Sequence, residues 1–361
     1  MINFLAFLSA FFLSFALVLS AVQVGYQYKL LSKPRDRDVH KKPVPRIGGA
    51  AIFLSFLLIS LLYFLLVHPD YHLIGSGGGI DGQLIGIWCG ALVITLSMLY
   101  DDIKGLNAWQ KFSFQFLAVF CVISSGIGID HLANPFGPTI NLNSVYIPIF
   151  SLNGVVYHFS LWSDLLTLVW MVGMMNVINF VDGIDGLASG LSLIAAITIF
   201  FVAVVNSQPA LALMSVILAG SISGFLILNY PPAKIFMGDS GAMFLGFMLG
   251  VMPLLSGGKL ATAFLVLGFP IIDGLFVAGG RLMRRQNPFT SPDKTHLHHR
   301  FIAAGFSQRQ ALWTMWLIAA AFSWVSLRAN TLQKIEAFGL LILVLLIIII
   351  ILSAIARKKN R

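Results

Sequence analysis

Long apolar runs separated by short polar segments dominate this 361-residue chain. A helix needs about 20 predominantly apolar residues to cross the hydrocarbon core of a bilayer. Only 10% of the residues are charged and 58% are hydrophobic, whereas soluble proteins carry roughly 25% charged residues. The sequence therefore predicts an all-α polytopic membrane protein, organised as one domain over residues 1–361.

We predict eleven membrane-spanning helices, at residues 3–25, 47–67, 82–100, 111–129, 161–178, 188–206, 210–228, 240–255, 260–279, 311–328 and 336–356. No basic segment precedes the first run, so we do not expect a cleaved signal peptide. The two cysteines, Cys89 and Cys121, lie inside apolar runs, which argues against a disulfide framework.

Lys and Arg residues indicate the orientation, because cytoplasmic loops of membrane proteins collect them. With the N-terminus outside and the C-terminus inside, twenty of the 23 Lys and Arg residues fall on the cytoplasmic side. The net charge of +9 therefore indicates cytoplasmic loops rather than nucleic-acid binding. The external loop 130–160 contains no Lys or Arg, and its segments VYIPIF and VVYHF are predicted to form a short β-hairpin.

The polar motifs fall on or beside the predicted cytoplasmic loops, near residues 26–46, 101–110, 179–187, 229–239 and 281–310. In the stretch NFVDGIDG, Asn179, Asp182 and Asp185 are spaced three apart, so on a helix they share one face. Polar and charged side chains at a membrane helix end are costly unless they bind a ligand or an ion. The alternative is a polar cap on a helix followed by a Gly-rich turn.

Three further aspartates lie at the ends of predicted spans. Asp101 and Asp102 are adjacent and point about 100° apart on a helix, so we do not expect both to chelate one ion. One would bind a metal while the other orients a substrate or takes a proton; the alternative is a solvated pair. Asp239, in the stretch FMGDSGA, opens a span and either caps the helix or binds a metal.

The types of side chain present indicate the chemistry. Carboxylates without a nearby thiolate favour Mg²⁺, with Mn²⁺ as an alternative, over zinc. Basic residues beside carboxylate-held Mg²⁺ suit phosphoryl transfer, and the basic setting of the HLHH run suits anions. Asp273 lies inside a predicted span, and we expect it to play a supporting role, by pairing with Arg281 or by capping a helix broken after Pro270.

Together these motifs resemble those of the polyprenyl-phosphate N-acetylhexosamine-1-phosphate transferase superfamily, over about residues 35–309. The resemblance is carried, in order, by PVPRIGG (43–49), the pair Asp101–Asp102, NFVDGIDGLA (179–188), FMGDSG (236–241), PIID (270–273) and SPDKTHLHHR (291–300). The His-x-His-His form is similar to the branch that uses UDP-N-acetylglucosamine. The muramyl-pentapeptide branch typically has three consecutive histidines and then an acidic residue.

The resemblance implies a Mg²⁺-dependent enzyme that transfers N-acetylglucosamine-1-phosphate from UDP-N-acetylglucosamine to undecaprenyl phosphate and releases UMP. It implies a multi-pass protein of the bacterial inner membrane, with its active site facing the cytoplasm, that starts O-antigen, common-antigen or teichoic-acid synthesis. It leaves a homodimer open. The alternatives are a phospho-N-acetylmuramoyl-pentapeptide transferase, a secondary transporter, and a membrane scaffold with no active site.

The resemblance also implies a role for each motif residue. The residues expected to be catalytic are Asp101, Asp102, Asp239 and His298. Asp239 is expected to be the principal Mg²⁺ ligand, with Asp101 or Asp102 beside it, and Asp101 is expected to accept the lipid-phosphate proton.

The remaining expected roles concern substrate binding. The expected nucleotide and substrate contacts are Asn179, Asp182, Asp185 and Asn229, with Phe236 stacking on uracil. The residues expected to bind the diphosphate or the sugar are His296, His298, His299 and Arg300. The residues expected to hold the lipid phosphate are Lys111, Lys42 and Arg46.

Overall fold

The computed structural model describes residues 1–32, 43–73, 81–132, 134, 137–152, 155–256, 260–283 and 296–359. Within these residues the chain forms long helices and three small two-stranded antiparallel sheets. Long apolar helices satisfy their own backbone hydrogen bonds, which lipid cannot do for them. The predicted all-α polytopic membrane fold is thereby confirmed.

The helices are α1 Ile2–Gln27, α2 Gly48–Leu62, α3 Gly82–Lys104, α4 Ala108–Ser124, α5 Leu161–Val181, α6 Leu187–Val205, α7 Pro209–Asn229, α8 Gly238–Leu255, α9 Leu260–Val266, α10 Gly268–Met283, α11 Leu297–Ala304, α12 Gln308–Arg328 and α13 Thr331–Lys359. A π-helical turn, Tyr63–Val67, extends α2. The strands are β1 Leu31–Ser32, β2 Val44–Pro45, β3 His131–Leu132, β4 Ile140–Asn141, β5 Tyr146–Leu152 and β6 Val155–Ser160.

Nine helices among the described residues are long and apolar enough to cross a membrane, and they coincide with nine of the eleven predicted spans. The other two predicted spans differ. The span expected at 111–129 is the 17-residue helix α4. The span expected at 260–279 is divided into α9 and α10, because Pro270 lacks the N–H that a continuous helix would require.

The hairpin predicted in the segment 130–160 is confirmed. Strands β5 and β6 pair antiparallel, with Tyr146 opposite Ser160 and Leu152 opposite Val155. The register is irregular between Pro148 and Phe150, as expected where a proline cannot donate to the ladder. Strands β3 and β4 form a second short ribbon in the same segment. The external location of this segment remains a prediction.

Helices α7 and α8 form the centre of the main core. Helix α7 packs on α1 and α6, while α8 packs on α3 and α5, and 94% of the apolar stretch of α8 is buried. Glycines bring the backbones close: a Cβ on Gly224 would lie 2.5 Å from the Phe11 carbonyl oxygen, and one on Gly246 would lie 2.5 Å from Met175 Cα. Such small-residue contacts are how membrane helices gain van der Waals packing.

A second core cluster packs α10 to α13 against the adjoining ends of α5 and α6. Its buried members include Val181 at the end of α5, Leu187 at the start of α6, Leu297 in α11 and Leu312 in α12. Helix α11 also packs on α13. The chain after residue 296 therefore lies directly against the NFVDGIDG segment.

We expect labelling of introduced cysteines to report opposite sides of the membrane at Ser144 and Lys104, because both residues are exposed and the charge asymmetry places them on different faces. The measurement is reaction of Ser144→Cys and Lys104→Cys with an impermeant maleimide on intact and permeabilised cells, in a background lacking Cys89 and Cys121. Ser144→Cys should react in intact cells and Lys104→Cys only after permeabilisation. Identical reactivity of both would contradict the topology.

Candidate active site

The PVPRIGG segment is joined to the start of α8 through the backbone. The Phe236 N–H donates to the Pro45 carbonyl oxygen at 2.8 Å, and the N–H groups of Gly48 and Gly49 donate to the carbonyl oxygens of Phe236 and Met237 at 2.9 and 2.8 Å. Two motifs nearly 190 residues apart in the chain thus form one structural unit. This unit sets the starting points of α2 and α8 side by side.

Glycine is required where these helix starts meet. A Cβ on Gly49 would lie 2.1 Å from the Gly241 nitrogen, and a Cβ on Gly238 would lie 2.4 Å from Asp102 Oδ2. Gly238 also has a φ of +72°, a conformation that residues with a side chain rarely adopt. The glycines of PVPRIGG and FMGDSG therefore serve close backbone approach.

Asp102, at the end of α3, caps the start of α8. Its Oδ1 accepts from the Asp239 N–H at 2.9 Å, and its Oδ2 accepts from the Ser240 N–H at 3.0 Å and from the Ser240 hydroxyl at 2.8 Å. A carboxylate stabilises a helix N-terminus by accepting from its free N–H groups. Ser240 was not among the predicted site residues; its only sequence signal is a hydroxyl directly after Asp239.

Lys111 bridges two carboxylates. Its Nζ lies 2.7 Å from Asp239 Oδ2 and also pairs with Asp101 Oδ2. The short connection between α3 and α4 allows this contact. Within it, Asp101 Oδ1 accepts from the Leu106 N–H at 2.6 Å, and Asn107 caps the start of α4. Lys111 consequently faces back toward the end of α3.

Arg46 approaches Asp239 from the other side. Its Nη2 donates to Asp239 Oδ1, and its Nε lies 3.4 Å from Asp102 Oδ1. Burial alone would lower the pKa of Arg46, but the charges of Asp239 and Asp102 raise it to a net value above its usual one. Arg46 therefore stays charged, and Asp239 lies between two cations.

The geometry brings together the three aspartates predicted to bind a metal. Oxygens of Asp101, Asp102 and Asp239 lie within 4.8 Å of one another. An all-oxygen donor set suits a hard cation such as Mg²⁺ or Mn²⁺. Both Asp102 oxygens are bound by the start of α8, whereas the partners of Asp239 are the side chains of Arg46 and Lys111. Asp239 is thus better placed than Asp102 to exchange its partners for a metal.

Asp182 adds negative charge to this cluster from the end of α5. Desolvation raises the pKa of Asp182 to about 7; Arg46 opposes the rise, and Asp239 and Asp102 add to it. Burial is thus the largest cause of the rise, and the neighbouring carboxylates add to it. The clustered oxygens of Asp101, Asp102 and Asp239 fit a Mg²⁺ site, and a divalent cation bound there would favour the charged form of Asp182.

The NFVDGIDG segment is a turn between two helices. Helix α5 ends at Val181 and α6 begins at Leu187, so the prediction that Asn179, Asp182 and Asp185 share one helical face is wrong. Gly186 has a φ of +76° and breaks the helical path. The glycines let the chain turn here, which agrees with the alternative prediction of a polar helix end followed by a Gly-rich turn.

Asn229, at the end of α7, holds this turn in place. Its Oδ1 accepts from the Gly186 N–H at 3.1 Å and from the Ser189 hydroxyl at 2.8 Å, and its Nδ2 donates to the Ile235 carbonyl oxygen at 2.9 Å. The residue is 2% exposed. These contacts give Asn229 a supporting position, and its role as a nucleotide contact remains a prediction.

Two further predicted residues flank the turn. Asp185 Oδ2 accepts from the Ala233 N–H at 3.0 Å, which joins the turn to the loop before α8. Asn179 lies partly exposed in the last turn of α5. Its carbonyl oxygen accepts from the Asp182 N–H at 3.3 Å, so Asn179 lies at the start of the turn that carries Asp182.

Residues 296–299, which we call the histidine segment, contact the turn between α5 and α6. A Cβ on Gly183 would lie 2.1 Å from His298 Nε2, so the imidazole packs directly on the glycine backbone. The His298 ring lies between those of His296 and His299, at centroid distances of 5.6 and 4.3 Å. Burial, and then the neighbouring histidines, lower the pKa of His298 well below its usual value. His298 is therefore neutral at physiological pH.

Asp273, expected to pair with Arg281 or to cap its own broken helix, has other partners. Its Oδ2 lies 2.8 Å from His296 Nδ1, and its Oδ1 accepts from the Leu297 N–H at 2.9 Å. The predicted supporting role is therefore directed at the histidine segment. No short-range sequence signal links residues 273 and 296.

Three other predicted binding residues are placed differently. Arg300 Nη1 donates to Ser353 Oγ at 3.0 Å, and its guanidinium lies 5.5 Å from the centre of the Phe276 ring. These contacts direct Arg300 toward α13 and α10. Phe236 is partly exposed beside Asp239. Lys42 lies outside the described residues.

Fold and site together define a multi-pass membrane protein with a carboxylate cluster at the adjoining ends of its helices. Residues 84–257 match glycosyl transferase family 4. A probable undecaprenyl-phosphate N-acetylglucosaminyl 1-phosphate transferase of Bacillus subtilis (strain 168) is 32% identical, over 84% of this chain and 77% of the relative. This chain belongs to glycosyl transferase family 4.

Other relatives carry similar names. A decaprenyl-phosphate N-acetylglucosaminephosphotransferase of Mycolicibacterium smegmatis is 31% identical, over 81% of this chain and 74% of the relative. An undecaprenyl-phosphate alpha-N-acetylglucosaminyl 1-phosphate transferase of Salmonella typhi is 26% identical, over 93% of this chain and 86% of the relative. The stretch that matches the family, residues 84–257, includes the end of α3 and the start of α8, which form the carboxylate cluster.

We expect Asp102→Asn to lower the stability of the metal-free protein by about 1–3 kcal/mol, because an amide nitrogen would face the N–H donors that start α8. Asp101→Asn is the matched control, since Asp101 accepts from the Leu106 N–H and pairs with Lys111 instead of capping the start of α8, and its unfolding temperature should fall less. Thermal unfolding in detergent with EDTA measures both. Equal unfolding temperatures for the two variants would refute the capping role of Asp102.

We expect Asp182 to make the metal-free protein less stable as the pH rises. Its folded-state pKa of about 7 lies above the usual value of 3.8, so the stability it contributes is fully present below about pH 4 and is lost as the pH rises through 7. Asp182→Asn should therefore lose less stability than wild type between pH 5 and pH 8. Equal losses, measured by unfolding with EDTA present, would contradict this pKa.

Proposed function

We propose that this protein transfers N-acetylglucosamine-1-phosphate from UDP-N-acetylglucosamine to undecaprenyl phosphate at the cytoplasmic face of a bacterial inner membrane. The carboxylate cluster flanked by Arg46 and Lys111 carries this proposal, because the reaction must hold two anionic substrates together. The names of the relatives support the same reaction. The apolar helices support a lipid acceptor that reaches the site from the bilayer.

The reaction is a substitution at phosphorus. An oxygen of the lipid phosphate attacks the β-phosphorus of the nucleotide sugar and forms a new P–O bond. The bond from the β-phosphorus to the bridging oxygen breaks, and UMP leaves with that oxygen. The product is undecaprenyl-diphospho-N-acetylglucosamine. Catalysis of this kind depends on alignment and charge neutralisation.

Asp239 and Asp101 would hold the Mg²⁺ ion, while Asp102 keeps the start of α8 in position. The bound cation would neutralise charge on the diphosphate. Arg46 and Lys111 lie at the same carboxylates, so they can bind the lipid phosphate beside the ion, with Lys42 as a further candidate. Asp101 remains the candidate acceptor for a proton of the lipid phosphate, if that phosphate arrives protonated.

The opposite side of the cluster suits the nucleotide sugar. Phe236 is exposed enough to stack on uracil, and Asn179 and Asp182 line the adjoining turn. The histidine segment packs on the same turn through His298. We assign the diphosphate and the sugar to His296, His298 and His299. Arg300 is a weaker candidate, since its guanidinium contacts α13.

Two rival functions are less well supported. A phospho-N-acetylmuramoyl-pentapeptide transferase would typically carry three consecutive histidines followed by an acidic residue, whereas here Leu297 interrupts the run and Arg300 follows it. A secondary transporter was suggested only by the carboxylate of Asp273. That carboxylate is bound to His296 and to the start of α11, so it is not an ion site along a transport path.

We expect purified protein to form UMP and lipid-linked N-acetylglucosamine from UDP-N-acetylglucosamine, undecaprenyl phosphate and Mg²⁺. EDTA should abolish turnover, and Asp239→Asn should reduce it at least a hundredfold, since a charged metal ligand is lost. Asp130→Asn, which changes a carboxylate in the 130–160 segment, is the matched control and should remain active. Chromatographic detection of both products is the measurement.

Turnover of UDP-N-acetylmuramyl-pentapeptide at a comparable rate would overturn the sugar assignment. Full activity of Asp239→Asn, with an unchanged Mg²⁺ titration, would remove Asp239 from the metal site. Absence of both products under all metal conditions would refute the transferase itself.

A further inference from the structure

Both carboxylate oxygens of Asp273 are bound at the start of helix α11, which carries His298 and His299. Asp273 is 5% exposed in α10, and each of its oxygens has one partner. Oδ1 accepts from the Leu297 N–H at 2.9 Å, and Oδ2 lies 2.8 Å from His296 Nδ1. Helix α11 has no capping side chain of its own at His296, so Asp273 supplies the cap from a neighbouring helix.

The contact with Asp273 also holds the Nδ1 edge of the His296 ring. A carboxylate beside Nδ1 accepts the Nδ1–H, so the other nitrogen, Nε2, is left for a further partner. Among the described residues, Nε2 of His296 has no hydrogen-bond partner. The ring is 5.6 Å from the His298 ring and nearly parallel to it, and His298 in turn packs on Gly183 beside the carboxylate cluster.

We propose that Asp273 is a positioning residue for the transfer reaction and that it acts through His296. Asp273 holds the Nδ1–H, fixes the ring against rotation and presents Nε2 to the sugar diphosphate of the donor nucleotide. This inference rests on the proposed function, and it adds a residue that does not itself touch the substrate. Carboxylates that orient a working imidazole in this way set its tautomer and its direction.

Asp273→Asn separates the two contacts of the carboxylate. The amide oxygen can still accept from the Leu297 N–H, so the cap on α11 is kept. The amide nitrogen then faces His296 Nδ1, which must become an acceptor, and the proton moves to Nε2. We expect kcat to fall at least about tenfold, while the KM for undecaprenyl phosphate and the unfolding temperature change little.

His296→Asn tests the other end of the contact. An asparagine amide can place a donor near the position of Nδ1 and so keep the bond to Asp273, but it has no atom at the position of Nε2. We expect this variant to fold normally and to lose at least as much kcat as Asp273→Asn. Full activity of His296→Asn would overturn the inference, even if Asp273→Asn did not fold.

The double variant decides whether Asp273 acts through His296. If it does, Asp273→Asn should cause no further loss in a His296→Asn background, because coupled residues are not additive. Losses that multiply would show that Asp273 acts separately, and they would overturn the inference. Asp164→Asn is the control: Asp164 is also buried and accepts from the Ser160 N–H at 2.8 Å at the start of α5.

Asp164→Asn should leave kcat unchanged; an equal loss there would mean that any buried carboxylate change is harmful, and the inference would fall. Failure of the inference is distinguishable from failure of the proposed function. Wild-type protein that forms no product overturns both. Active wild-type protein with a normal kcat in Asp273→Asn overturns the inference alone.

Discussion

The pairing of Asp239 with Arg46 on one side and Lys111 on the other is the interaction on which the site depends. It joins the start of α8 to the chain before α2 and to α4. A buried carboxylate is costly unless cations and hydrogen bonds surround it. The backbone N–H of Asp239 is bound by Asp102, which adds the end of α3. Charge pairing at one residue therefore positions four parts of the chain.

These ion pairs also suit the two anionic substrates of the proposed reaction. The carboxylate of Asp239 pairs with Arg46 and Lys111 at the same time. A divalent cation on the carboxylates would release the two basic side chains from part of their attraction to Asp239. The released charge would then be available to a phosphate oxygen in nearly the same place. Little rearrangement is needed, which is the advantage of a preorganised electrostatic site.

The sequence was most informative where the signal is local or repeated. Apolar length located the spans, and acidic and basic motifs at their ends correctly grouped Asp101 and Asp239 with Arg46. Three contacts were beyond it: the bond from the Asp102 carboxylate to the start of α8, the pairing of Asp273 with His296, and the bond from Arg300 to α13. Each joins residues that are distant in the sequence, which periodicity cannot show.

Helix ends explain why polar motifs in such a chain are easily overinterpreted as ligand contacts. A helix end inside packed protein leaves N–H and C=O groups without partners, and burying them unpaired is costly. Asp102 supplies those partners for α8, Asn229 holds the turn before α6, and Asp273 caps α11. Each comes from a different helix than the one it stabilises. The groups that bind backbone and the groups available to substrate are therefore interleaved along the same motifs. Asp239 differs from Asp102 because its carboxylate is bound by the side chains of Arg46 and Lys111 and not by backbone N–H groups.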